Sequence, residues 1–109
     1  MSNLGMGEFQ RVVLLSIHHL CGQGYAVSIG DEIKRRTGKQ VSLGAIYATV
    51  DRLERKGFVS SRKGDPTPER GGKPKRFYRI EAPGERMLHE ARLLDDRMWA
   101  GARVFGALA

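Results

Sequence analysis

Ser42-Leu43-Gly44-Ala45-Ile46-Tyr47-Ala48-Thr49-Val50-Asp51-Arg52-Leu53-Glu54-Arg55-Lys56-Gly57 is the stretch that decides the fold. Leu43, Ile46, Tyr47, Val50 and Leu53 recur at helical spacing and predict one inward-packing face. Ser42 is placed to cap the helix, and Gly57 follows its expected last residue, Lys56. The opposite face carries Gly44, Ala45, Ala48, Arg52 and Arg55, with Thr49 and Lys56 beside it. The helix dipole explains basic residues late in a helix. It does not explain why the exposed early positions lack bulk. A helix end that enters a groove explains both.

Upstream, Phe9, Val12, Val13, Ile17 and Leu20 fall at helical spacing between Glu8 and Leu20, with Leu14 and Leu15 widening the stripe. Gly22 and Gly24 end that helix. Ser28 is expected to cap a second helix with Asp31 reaching back, Ile29 and Ile33 inward, and Thr37-Gly38 closing it after Lys34, Arg35 and Arg36. Downstream, Phe58 to Arg62 and Arg76 to Ile80 are short and β-prone. The residues between them, Lys63 to Lys75, are rich in Gly, Pro and Lys/Arg and predict a hairpin with a long, basic, exposed tip. From about Pro83 a fourth helix is expected, in which Met87, Ala91, Leu94, Met98, Ala102 and Phe105 form a heptad seam broadened by Leu88, Trp99 and Val104. So short a domain has little core left to cover that seam, which predicts a second subunit. The fold class is thus mainly α with a small β-hairpin. Residues 1–81 form a winged helix-turn-helix unit, and residues 82–109 a dimerisation helix.

The composition agrees. The chain has 109 residues, one domain's worth, of which 40% are hydrophobic. Its net charge of +7 is concentrated. Lys34 to Arg79 hold fourteen basic and four acidic residues, while both flanks are slightly acidic. A basic centre suits a polyanion, because each cation near a phosphate releases counterions, although it also suits a solubilising face. With the helix and hairpin layout beside it, the expected polyanion is double-stranded DNA. Cys21 is alone, which excludes an internal disulfide and fits a reducing, cytoplasmic setting. No apolar run is long enough to span a membrane, and the amino terminus lacks a signal-peptide pattern. His18 and His19 point in different directions on a helix and His89 is distant, so neither a metal nor a cofactor is expected. No nucleophile elbow or phosphate loop is present, and catalysis is not expected. Two other classes share the charge: a non-specific nucleoid-type or RNA-binding protein, and an adaptor that docks an acidic protein.

The quoted helix, the segment Gly7-Glu8-Phe9 through Leu15, and Thr67-Pro68-Glu69-Arg70-Gly71-Gly72-Lys73-Pro74-Lys75-Arg76-Phe77-Tyr78-Arg79-Ile80 together resemble the PadR family of bacterial transcriptional regulators. The resemblance runs from Gly7 to about Met98. It implies a homodimeric repressor that pairs through its carboxyl-terminal helix and binds a palindromic operator, relieved in some relatives by a small phenolic or drug-like molecule. Carried over by position, the groove contacts are Ser42, Gly44, Ala45, Tyr47 and Thr49, with Arg52 on the backbone. The wing contacts are Arg70, Gly71, Gly72, Lys73 and Lys75, joined by Arg76 as a phosphate contact. Ser42 and Thr49 would set sequence preference. Tyr47 has two readings, a phosphate contact through its hydroxyl or a core role. Trp99 also has two: a planar effector stacked between subunits, or plain interface packing, which is the expected one. The chain ends after a single dimerisation helix, like the short members of the family.

Overall fold

Three helices, a two-stranded hairpin and a fourth helix follow one another in a computed structural model that describes residues 6–65 and 74–102. They are α1 (Glu8–His19), α2 (Ala26–Thr37), α3 (Leu43–Arg55), β1 (Val59–Lys63), β2 (Arg76–Ile80) and α4 (Ala82–Trp99). The α3 boundaries follow the sequence signals. Ser42 Oγ accepts the Ala45 N–H at 3.1 Å, and Gly57 adopts a left-handed φ of 79° just past the end. The α2 start differs from the expectation. Ser28 is not the cap but sits inside the first turn, where its Oγ accepts the Tyr25 N–H at 2.9 Å. By reaching back, Ser28 lets the helix begin at Ala26.

Leu14, Ile17, Ile29, Ile46, Leu53, Val13 and Val50 are wholly buried where α1, α2 and α3 converge. Each such side chain contributes about 1.5–3 kcal/mol of transfer free energy, so these seven define the fold. The hairpin closes one side. β1 and β2 pair antiparallel, with Val59 opposite Ile80 and Ser61 opposite Tyr78. Val59 and Tyr78 turn into the core. The Tyr78 N–H also donates to the Gly24 carbonyl at 2.8 Å, so the turn between α1 and α2 adds one bridge to the hairpin edge. Burial pushes the Tyr78 phenol up from its usual range. The hairpin root is therefore fixed to the helical core.

α4 starts at Ala82 with Glu81 at its cap position, but the Glu81 side chain does not cap it. The carboxylate instead accepts the Ser60 hydroxyl and, at 3.4 Å, an Arg79 N–H, and the Ser60 bond chiefly holds its pKa below the usual carboxylate range. Gly84 is buried in the first turn, against the backbone of Phe58. A Cβ there would stand 2.4 Å from the Phe58 carbonyl oxygen, so no other residue fits without a shift. Farther along, Leu88 packs on the core and Ala91 is buried. Met87 and Leu94 are half-buried, while Met98 and Trp99 are exposed. The expected continuous seam is thus corrected. Its first half faces the chain's own domain, and the helix ends at Trp99, with Gly101 at a φ of 77°. Ala102 follows the helix, and Val104 and Phe105 lie outside the described residues.

Candidate nucleic-acid interface

On α3 the buried arc is Ile46, Thr49, Val50 and Leu53, narrower than the pattern predicted and rotated from it. α1 and α2 pack on that arc and leave Leu43 and Tyr47 outside it. Both were expected inward; both are exposed, Tyr47 by 54%. Thr49 moves the other way. At 3% exposed it lies in the core and does not stand on the exposed face where the sequence placed it. The exposed surface begins with Ser42, Leu43, Gly44, Ala45, Tyr47 and Ala48 and continues with Asp51, Arg52, Glu54, Arg55 and Lys56. Nothing stands within 4 Å of a Cβ built at Gly44, so that position opens to solvent.

The charges on this face are not equivalent. Arg55 pairs with Asp51 at 2.6 Å, and Lys56 Nζ donates to Gln10 Oε1 at 3.2 Å. Arg52 is exposed and, among the described residues, makes no ion pair. On α2, Arg35 and Arg36 both engage Glu32 and hold its carboxyl below the usual range, with Arg36 the larger influence. Arg52 is therefore the exposed arginine of α3 that is not engaged in an ion pair among the described residues.

The hairpin stands beside α3 and is tied to it. Arg76 Nη1 donates to Ser61 Oγ at 2.9 Å, and that hydroxyl donates to Glu54 Oε2 at 2.8 Å. On the other hairpin face an alternating stack forms. Arg62 lies 4.7 Å from the Phe77 ring centroid, Phe77 meets Tyr25 edge-on at 5.7 Å, and Lys75 Nζ sits 4.3 Å from the Tyr25 centroid. Two wing cations are thus held on aromatic faces, which sequence reasoning missed. In the sequence Phe77 reads only as a strand former, and Tyr25 stands eighteen residues before α3. Of the expected wing contacts, Lys75 and Arg76 stand at the loop end of the hairpin strands, with Arg76 opposite Lys63, while Arg70, Gly71, Gly72 and Lys73 lie outside the described residues. Among the described residues no group of three His, Cys, Asp or Glu could hold a metal. No described helix is long and apolar enough to cross a membrane.

Three packed helices, the third exposing a small-residue tip followed by cations, with a basic hairpin beside it, define a winged-helix DNA-binding protein. Solved structures with this fold include a PadR family regulator from Eggerthella lenta, at 24% identity and TM-score 0.67 over 86% of this chain and 81% of that one. A PadR-like transcription factor from Bacteroides fragilis matches at 21% identity and TM-score 0.71, over 83% of this chain and 82% of that one. A winged-helix DNA-binding protein from STIV matches at 13% identity and TM-score 0.70, covering 90% and 98%. The family profile of the transcriptional regulator PadR-like family matches residues 14–90, and the chain belongs to that family. It is a DNA-binding transcription regulator, of a family that is regulatory rather than enzymatic. No curated protein matches its sequence.

Proposed function

We propose that the protein is a cytoplasmic homodimeric repressor that binds a palindromic operator. The observation that carries this reading is the α3 surface: Gly44, Ala45 and Ala48 leave the exposed tip without bulk, and Arg52 follows on the same helix. In this reading Ser42, Gly44, Ala45 and Tyr47 meet the major groove. Ser42 Oγ accepts a capping bond, yet its hydroxyl hydrogen stays available to a base acceptor. Arg52, Lys75 and Arg76 meet phosphates, joined by Arg70, Gly71, Gly72 and Lys73 of the wing. Residues 1–81 read DNA and residues 82–109 pair two copies. The two α3 helices then occupy successive major grooves, about 34 Å apart. Support for pairing comes from Leu93, Met98 and Trp99, exposed apolar side chains on α4, and Leu15, exposed on α1. In this reading Trp99 packs the pairing surface; quenching of its fluorescence by a small planar molecule would instead mark an effector site there.

The decisive experiment is fluorescence anisotropy with the duplex upstream of the gene and a scrambled duplex, at two salt concentrations. A specific site is expected to win by about 10³-fold or more, and to keep that preference as salt rises. Equal binding that collapses with salt would instead indicate a nucleoid-type protein. No binding at low salt would leave the adaptor role.

A further inference from the structure

Leu43 is the first residue of α3 and is 46% exposed, although Ile46 and Val50 on the same helix are buried completely. Tyr47, one turn later on the same edge, is exposed too, and Gly44, Ala45 and Ala48 complete the tip. The helix therefore presents an apolar end and a charged second half. Within the chain, α4 packs on α1, whereas α3 packs on α1, α2 and β1 and keeps this end exposed. The major groove offers phosphates at its rims and, on its floor, one apolar group, the C5-methyl of thymine. A tip of glycine and alanine allows the helix to come close enough for a leucine to reach that floor.

We propose that Leu43 is a specificity-determining residue that packs on a thymine C5-methyl in each half of the bound DNA site. This rests on the reading of α3 as the element that enters the major groove. It makes sequence preference depend on an apolar contact as well as on hydrogen bonds from Ser42. The predicted contact is independent of phosphates, so it is separable from the work of Arg52.

The test uses a duplex enriched from a random pool by repeated binding to the full chain. Each thymidine is then replaced in turn by deoxyuridine, which removes one methyl and nothing else. The intact protein is expected to bind about three- to fivefold more weakly at one or two positions in each half-site, the scale of one buried methyl. Leu43→Ala should bind the thymidine and deoxyuridine forms equally, with the salt slope of the intact protein. Leu43→Met, which keeps the apolar reach, should keep the discrimination. Thermal melting of both variants should match the intact chain, since the side chain lies outside the core. An enriched duplex indifferent to every deoxyuridine, or a Leu43→Ala variant that still discriminates, overturns this assignment alone. A pool from which nothing is enriched overturns the groove-entering reading and this assignment with it.

Discussion

Gly44 and Gly84 both sit in the first turn of a helix, yet alanine should act oppositely at the two. At Gly84 an added Cβ meets the Phe58 carbonyl oxygen at 2.4 Å, a backbone atom that cannot swing aside. Gly84→Ala should cost about 1–3 kcal/mol or more in urea unfolding, the range for overpacking. At Gly44 the Cβ meets nothing, and Gly44→Ala should add up to about 0.5–1 kcal/mol of stability. The same methyl should weaken duplex binding, because it stands where the groove is proposed to approach. A variant that is both more stable and a weaker binder is the expected combination. Arg52→Ala should weaken all duplexes alike and make the logarithmic salt slope shallower by about one, a result that anisotropy at several salt concentrations reads directly. At this scale the sequence was least legible. Thr49 and Tyr47 lie near opposite edges of the buried arc, and the pattern alone does not show where α1 and α2 set those edges.

Elements were read more easily than their anchors. The strand Arg76–Ile80 and the α3 cap were visible because turn and cap signals are local. The bridge from Tyr78 to Gly24 and the stack of Arg62, Phe77, Tyr25 and Lys75 join residues far apart in sequence, and no spacing rule encodes them. The stack should stiffen the wing base. Phe77→Leu is expected to weaken duplex binding a few-fold, and Phe77→Tyr to restore it, in the same anisotropy assay. Glu81 gives this element a pH dependence. Its folded-state pKa lies below the ordinary 4.5, so its contribution is complete above that value and is lost as pH falls through the folded one. Urea midpoints measured downward from about pH 5 should fall less steeply for Glu81→Gln than for the intact chain. Ser60→Ala should shift the Glu81 carboxyl back toward its ordinary value, as carboxyl NMR titration would show.

For the molecule as a whole, the apolar seam of α4 was legible as a stripe but not as a division of labour. Periodicity counts Ala91 and Met98 alike. The fold buries Ala91 within the chain and leaves Met98 73% exposed. Ala91→Glu would therefore disrupt the docking of α4 itself, whereas Leu93→Glu and Met98→Glu leave that docking intact. Those two substitutions together should give a monomer in sedimentation and reduce affinity for a two-fold symmetric duplex, while the melting temperature of the single chain stays close to its original value. Loss of the paired state with unchanged duplex affinity would separate pairing from DNA recognition.

The seat of Gly84 on Phe58 has a consequence at this largest scale. α4 is a rod of about 27 Å, from 18 residues at 1.5 Å each, and it is clamped at the end nearest the joint between α3 and the hairpin. Such a rod is a lever with a short, tight pivot. A tilt of about 10° at the pivot carries the Trp99 end through roughly 4 Å on a helix of that rise. In a pair of chains joined, as proposed, by their α4 ends, the separation of the two α3 helices would follow from how Gly84, Leu88 and Ala91 seat each rod on its own domain, and the grooves of DNA would act as the ruler against which that seating is measured.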